Sequence, residues 1–264
     1  MTAVRPGTQS AARAGMRPGL RTALYGLVGV AVLLLIAELI GQFGLLGTTW
    51  PPLTSVFAFL ADPANHTLLG NALSTTVTEA AVGGLIGIAA GVGFALLASL
   101  VPVLAPGLDR FAAVIDAVPA VALAPFLILI LGREGTPVLV VALSTTFIIY
   151  ISMSSGLATA ARPYHDLLAV LGARRGTRLR LVDVPAALPK LFDGLALAAP
   201  AMILGATIGE WFGARRGLGV LFISAMQNYR IDLLWAAAVL SVLCSLVLYG
   251  AAVVAQRAIA RRFA

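Results

Sequence analysis

The chain of 264 residues is 60 % hydrophobic and only 11 % charged, with a mean hydropathy of +0.99 and a formal net charge of +7. Soluble domains carry roughly 25 % charged residues, so this charged fraction cannot coat a water-facing surface, and so much apolar side chain would collapse rather than stay disordered. What remains is an all-α, polytopic membrane protein, with room for about six spans of roughly 20 residues each and none for a second, soluble enzyme domain.

The apolar runs lie at 23–42, 74–99, 111–131, 137–158, 192–212 and 233–255. All are predicted to be helices, because an open sheet in lipid leaves backbone groups unpaired. Residues 1–22 read as a cytoplasmic N-terminal tail, and 23–264 as one transmembrane domain. The first run is long enough to span and is preceded by Arg5, Arg13, Arg17 and Arg21, the pattern of an anchor that stays in place rather than a cleaved leader. The second run carries Gly83, Gly87 and Gly91 at four-residue spacing, which puts them on one face and lets another helix approach closely. Pro119 and Pro125 should bend the third run, which serves either a pathway or a purely structural kink. Gly132 to Pro137 then reads as a tight hairpin into the fourth.

With the N-terminus inside, the tail, 100–110, 159–191 and 256–264 face the cytoplasm. These segments hold Arg5, Arg13, Arg17, Arg21, Arg110, Arg162, Arg174, Arg175, Arg178, Arg180, Lys190, Arg257, Arg261 and Arg262. Only Arg133, Arg215, Arg216 and Arg230 of the 18 basic residues face the other side, so both termini are expected in the cytoplasm. The clustering of arginine between apolar runs is a topology signal and does not suggest nucleic acid. Among acids in or near the runs, Glu38, Glu79 and Glu210 fall near outer ends and Asp193 near an inner end, where water can reach them. Asp116 lies deeper and is the candidate for a buried carboxylate, serving the pathway or a hydrogen bond to a neighbouring helix.

Lys190 is the one lysine and sits in Ala187-Leu188-Pro189-Lys190, so the chain has no glycine-rich P-loop and cannot hydrolyse ATP alone. His66 and His165 are isolated, and Cys244 is the single cysteine, so neither a metal site nor a cofactor is expected.

The longest inner connection, 159–191, is the most informative stretch. Asp166 to Leu171 reads as a short helix whose acid suits its N-terminal end, closed by Gly172 with positive φ. A basic amphipathic segment follows, and Pro185 and Pro189 mark the return to the membrane. Two short helices joined at a glycine would expose Leu167, Leu168, Leu171, Leu181, Val182 and Val184, rimmed by arginines. Such a knob suits docking of a soluble partner or rest on anionic lipid.

This stretch resembles the EAA loop of ABC importer permeases. Asp166 stands six residues before Gly172, Val182 ten after it, and Val184-Pro185 where that pattern has Leu-Pro. Asp166 replaces its glutamate, Leu167 and Leu168 its alanine pair, and Val184 its leucine. Val118-Pro119-Ala120-Val121-Ala122-Leu123-Ala124-Pro125 resembles the third span of the sulfonate, taurine, nitrate and thiamine-precursor branch. Gly209-Glu210-Trp211-Phe212-Gly213-Ala214 with Gly217-Leu218-Gly219 resembles that branch's segment after the fifth span. Thr78-Glu79 stands where many sulfonate-type members have arginine, which turns the expectation toward an uncharged or aromatic nutrient.

The resemblance implies a six-helix permease subunit with a MetI-like fold, in the cell's inner membrane. It implies a pathway formed with a second copy, fed by an external solute-binding protein and driven by a separate ATPase subunit. The residues it implies for ATPase coupling are Asp166, Leu167, Leu168, Gly172, Ala173, Val182, Val184 and Pro185. For the pathway the candidates are Asp116, Pro119, Pro125, Met202 and Glu210. A gradient-driven secondary carrier is the alternative.

Overall fold

The computed structural model describes residues 18–160, 162–212 and 214–263. Most of the expected tail, with Arg5, Arg13 and Arg17, lies outside the described residues, as does Gly213. The structure forms two compact units, one ending at Ser55 and one beginning at Val56.

In the first unit α1 runs Pro18–Gln42. Gly44 and Gly47, both at positive φ, turn the chain back, and the Trp50 indole N–H donates to the Ala37 carbonyl at 3.0 Å. The Glu38 carboxylate accepts from the backbone N–H (3.1 Å) and hydroxyl (2.8 Å) of Thr54. Thr54 is in the first turn of α2 (Leu53–Ala61), so the acid satisfies a free helix-end donor.

The second unit is built on α3 (Pro63–Leu100), α4 (Ala105–Ala117), α5 (Ala120–Leu157) and α6 (Arg162–Val170). It continues through α7 (Arg175–Arg178), α8 (Val184–Glu210), α9 (Leu218–Gln227) and α10 (Ile231–Phe263). Asp62 starts α3 by accepting the Ala64 N–H at 3.0 Å, with Pro63 at the position whose N–H needs no partner. Among the described residues five helices are long and apolar enough to cross a membrane: 24–42, 63–100, 125–157, 175–210 and 231–259.

The expected third run is present but assembled from two pieces. α4 ends at Ala117, Val118 and Pro119 are extended (ψ 118 and 127), and helix resumes at Ala120. Pro119 thus breaks the run, while Pro125 stays inside the helix. Gly132, at φ 74 and ψ 178, interrupts α5. The chain reverses there, since Leu123 and Leu143, which a straight helix would hold about 30 Å apart, line one cavity. The hairpin expected at 132–137 is therefore a reversal at Gly132, and α4 with 120–131 is one pass across the bundle.

Residues 133–157 form the centre. Along α3 the three spaced glycines meet this segment in parallel register. A Cβ on Gly83 would lie 2.7 Å from Val141 Cβ, one on Gly87 2.6 Å from Thr145 Cβ, and one on Gly91 2.9 Å from Ile149 Cβ. α8 packs antiparallel on the other side, with Gly209 on Pro137, Gly194 on Ser152 and Gly156 of α5 on Ala187. Val141, Thr145, Ile149 and Tyr150 are accordingly buried. Lipid gives helices no hydrophobic reason to associate, so close backbone approach and dispersion must hold this seam.

At one end of the seam Glu210, the last residue of α8, is only 1 % exposed. Its carboxylate accepts from the Thr76 hydroxyl and the Gly219 N–H, both at 2.6 Å, while Thr76 Oγ accepts the Leu218 N–H at 2.9 Å. Leu218 and Gly219 open α9, so the first two free N–H groups of that turn are satisfied next to a favourable negative charge. Gly217 sits at φ 132 with the Glu210 carboxylate where a side chain would be. This corrects the expectation of a water-exposed Glu210. The sequence cannot show that α9 folds back over the end of α8.

Two measurements check this packing. Gly87→Val should destabilise the protein by about 2 kcal/mol through overpacking, whereas Gly70→Val, with open space at that position, should be near neutral; thermal unfolding in mild detergent reads both. Glu210→Ala strands the Gly219 N–H and should cost about 2–3 kcal/mol, while Glu134→Ala, whose side chain is 80 % exposed, should change little.

Candidate functional site

At the opposite end of the seam the chain leaves α5 and builds the knob. α6 is a nine-residue helix beginning at Arg162, four residues earlier than expected, so Asp166 lies in its middle and does not favour its N-terminus. Its C-terminal end is as expected. Gly172 adopts φ 68, its N–H donates to the Ala169 carbonyl (3.0 Å), and the Ala173 N–H donates to the Leu168 carbonyl (2.9 Å). This pair of bonds is the Schellman arrangement, which satisfies the last carbonyls and turns the chain at a residue without Cβ.

The second half of the knob differs from expectation. No separate short helix ends at Pro185. α7, one π-helical turn at Leu179–Asp183 and α8 follow without interruption, so that 175–210 is a single helical element. The Val184 N–H reaches the Leu179 carbonyl, five residues back, and this widened turn precedes Pro185, which takes a first-turn position in α8. The prolines read as breaks therefore sit inside a continuous rod.

The knob presents apolar surface. Val170 is 87 % exposed, Leu171 70 % and Leu167 57 %, with Leu181 also exposed. Leu168, Ala173, Val182, Val184 and Pro185 are half-buried, and Asp166 and Gly172 face out. The eight coupling candidates thus lie on one contiguous element and its root. A groove of about 450 Å³, lined by Tyr164, Leu181, Val182, Pro185 and Pro189, runs between α6 and the start of α8.

Sequence reasoning missed one contact. His165, read as an isolated histidine, places Nε2 2.6 Å from Asp183 Oδ1, with the carboxylate side chain only 10 % exposed. The two residues are 18 apart and on different helices, a separation no local pattern predicts. Nearby, the Tyr150 hydroxyl donates to Asp109 at 2.5 Å and Phe94 meets Phe111 edge-on (6.4 Å), anchoring α4 against α3 and α5.

The five pathway candidates are not gathered into one site. Asp116, expected to be buried, is exposed at the end of α4 because the helix breaks two residues later. It lines, with Pro119, Leu123, Ser144 and Phe147, a cavity of about 160 Å³. Met202 packs its sulfur against Gly84, Pro125 is exposed, and Glu210 belongs to the α9 cap. Beside that cap, half-buried Glu79 neighbours the Glu210 carboxylate and faces a cavity of about 380 Å³ with Thr75, Glu134, Arg215 and Arg216.

Comparison with known proteins follows the same lines. Residues 83–264 match the family described as binding-protein-dependent transport system inner membrane component. A probable ABC transporter permease protein of Haemophilus influenzae is 32 % identical over 186 residues, 69 % of this chain and 75 % of that one. The formylaminopyrimidine transport permease protein ThiX of Halalkalibacterium halodurans is 34 % identical over 113 residues, 42 % of this chain and 45 % of its own. In structure, a chain of the MetNI methionine ABC transporter in an inward-facing conformation superposes with a TM-score of 0.67 at 18 % identity, covering 75 % of this chain and 99 % of that one. The chain therefore belongs to the family of inner-membrane components of binding-protein-dependent transport systems and is the permease subunit of an ABC importer, with ATP hydrolysis carried by a separate subunit.

Proposed function

We propose that two copies of the chain form one translocation pathway. Each offers the knob of α6 and Gly172 to an ATPase subunit on the cytoplasmic side, and an external solute-binding protein delivers solute to the far end. Both termini then face the cytoplasm. The observation that carries this reading is the continuity of the knob's root with α8: the exposed face formed by Leu167, Val170 and Leu171 stands on an element that runs unbroken from 175 to 210.

The mechanism follows from that continuity. When two ATPase subunits close on ATP, they displace the knobs seated on them. Each knob moves the root of α8, and α8 moves its opposite end, where Glu210 holds α9. The seam with 133–157 passes the motion to α3, so that access switches from one face to the other. The roles follow residue by residue. Leu167, Leu168 and Ala173 supply the apolar seat with Asp166 at its polar edge, and Gly172 makes the turn. Val182, Val184 and Pro185 form the root that receives the push. Asp116 and Pro119 line one cavity and are the pathway residues this arrangement favours.

For the solute, we favour an uncharged or aromatic nitrogen-containing nutrient. Glu79 stands where sulfonate-type permeases often carry arginine, and an acid there does not suit a sulfonate. The relatives include a formylaminopyrimidine permease and aliphatic-sulfonate permeases alike, so this choice rests on Glu79.

Two experiments test the reading. Purification of the tagged chain in mild detergent should bring down a P-loop ATPase, and ligand screening of the accompanying binding protein should return a nitrogen heterocycle; a chain that stays folded and alone would favour a gradient-driven carrier. Gly172→Asp forces a side chain into the left-handed region and a charge beside the apolar seat. It should lower ATPase coupling about tenfold or more with membrane insertion intact, and wild-type coupling in that variant would remove the docking assignment.

A further inference from the structure

α6 has nine residues and exposes its apolar side chains, so on its own it is too short to hold a helical shape in water. Its chain connection to the 175–210 rod runs through Gly172, exposed and at φ 68, with open space around its missing side chain. That turn is held by two backbone hydrogen bonds at a residue with no Cβ, so it resists bending less than a continuous helix does. Were it the sole tie, a partner pulling on α6 would bend the turn and leave α8 where it was.

A second tie crosses the turn. His165 Nε2 on α6 lies 2.6 Å from Asp183 Oδ1, and because a carboxylate can only accept, the imidazole is the donor. Asp183 is the last residue of the π-helical turn, immediately before α8, and its side chain is 10 % exposed. The widened turn places this carboxylate toward α6, and removal from water strengthens the bond it accepts. Gly172 and the His165–Asp183 contact together fix α6 at two separated points, which is what a rigid attachment requires.

We propose that His165 and Asp183 are a positioning pair that locks α6 to the 175–210 rod, so that displacement of a docked ATPase subunit reaches α8 instead of being absorbed at Gly172. The inference rests on the docking reading given above and adds the residues that make docking productive. The pair acts through α6 and touches neither solute nor nucleotide.

The test uses the complex purified with its ATPase, in a Cys244→Ala background carrying a nitroxide at Met226→Cys. Met226 is 60 % exposed and lies on α9, the helix that Glu210 ties to the far end of α8. ATP with vanadate is the probe, and the spectral change of the label is the readout of motion delivered to the far end. His165→Leu should keep the ATPase bound and hydrolysing while the spectral change falls about tenfold, the population shift expected from losing one charge-assisted hydrogen bond. His165→Gln, whose amide N–H can still reach Asp183, should recover most of the signal.

An undiminished spectral change in His165→Leu overturns the proposal, as does an equal loss in the Leu and Gln variants. Loss of ATPase binding in His165→Leu would also overturn it, by making the residue part of the docking face. Absence of ATPase from the unsubstituted chain would instead remove the docking reading itself. The two failures are thereby distinguished.

Discussion

Everything in the second unit depends on how closely backbones approach around residues 133–157. Water is absent from most of this contact, so burial supplies little force; what holds the helices is the gain in dispersion when nothing stands between them. Gly83, Gly87 and Gly91 on one side and Gly194 and Gly209 on the other remove the side chains that would keep α3 and α8 away. Two hydroxyls of the seam are satisfied within their own helices, the Thr146 hydroxyl donating to the Ala142 carbonyl at 2.7 Å and Thr207 to Ile203 at 2.8 Å, whereas the buried Thr145 hydroxyl has no such partner. The central segment is thus a tight spacer on which two longer helices are mounted, one in parallel and one antiparallel register.

Helices, their order and the glycine face were legible because each rests on a local pattern. Apolar runs set the spans, four-residue glycine spacing sets a face, and Gly172 before a basic segment sets a helix end. The carboxylates were not legible. Depth along a run ranked Asp116 as buried and Glu210 as exposed, and the structure has them the other way round. The rank failed because exposure is set by what packs nearby. Pro119 cuts the helix beside Asp116, and α9 folds back on Glu210. The prolines near 185 misled for a related reason: Pro185 occupies a first-turn position in which its missing N–H costs nothing, and a π-helical turn ahead of it lets the helix pass through.

The segment from Gly209 to Gly219 shows how a motif becomes readable once its geometry is known. Gly209 lets Pro137 approach, Glu210 accepts the Gly219 N–H in the first turn of α9, Gly217 supplies a backbone angle other residues resist, and Gly219 lies where a side chain would strike the Thr207 carbonyl. Each residue type answers one steric or hydrogen-bonding demand of a single chain reversal. The fold shared with the MetNI transporter at 18 % identity is consistent with demands of this sort, which constrain a few positions closely and leave apolar positions free to vary.

The element from Arg175 to Glu210 has 36 residues, which at 1.5 Å per residue makes it about 54 Å long, against about 30 Å for the hydrocarbon layer it crosses. In the mechanism proposed above, an element of that length acts as a seesaw with arms longer than the hydrocarbon layer needs. A tilt of about 10° about its middle carries each tip some 5 Å sideways, in opposite directions, by simple trigonometry on that length. Where the element tilts as one body, opening at one face and closure at the other need no separate signal, because one tip cannot move inward without the other moving out.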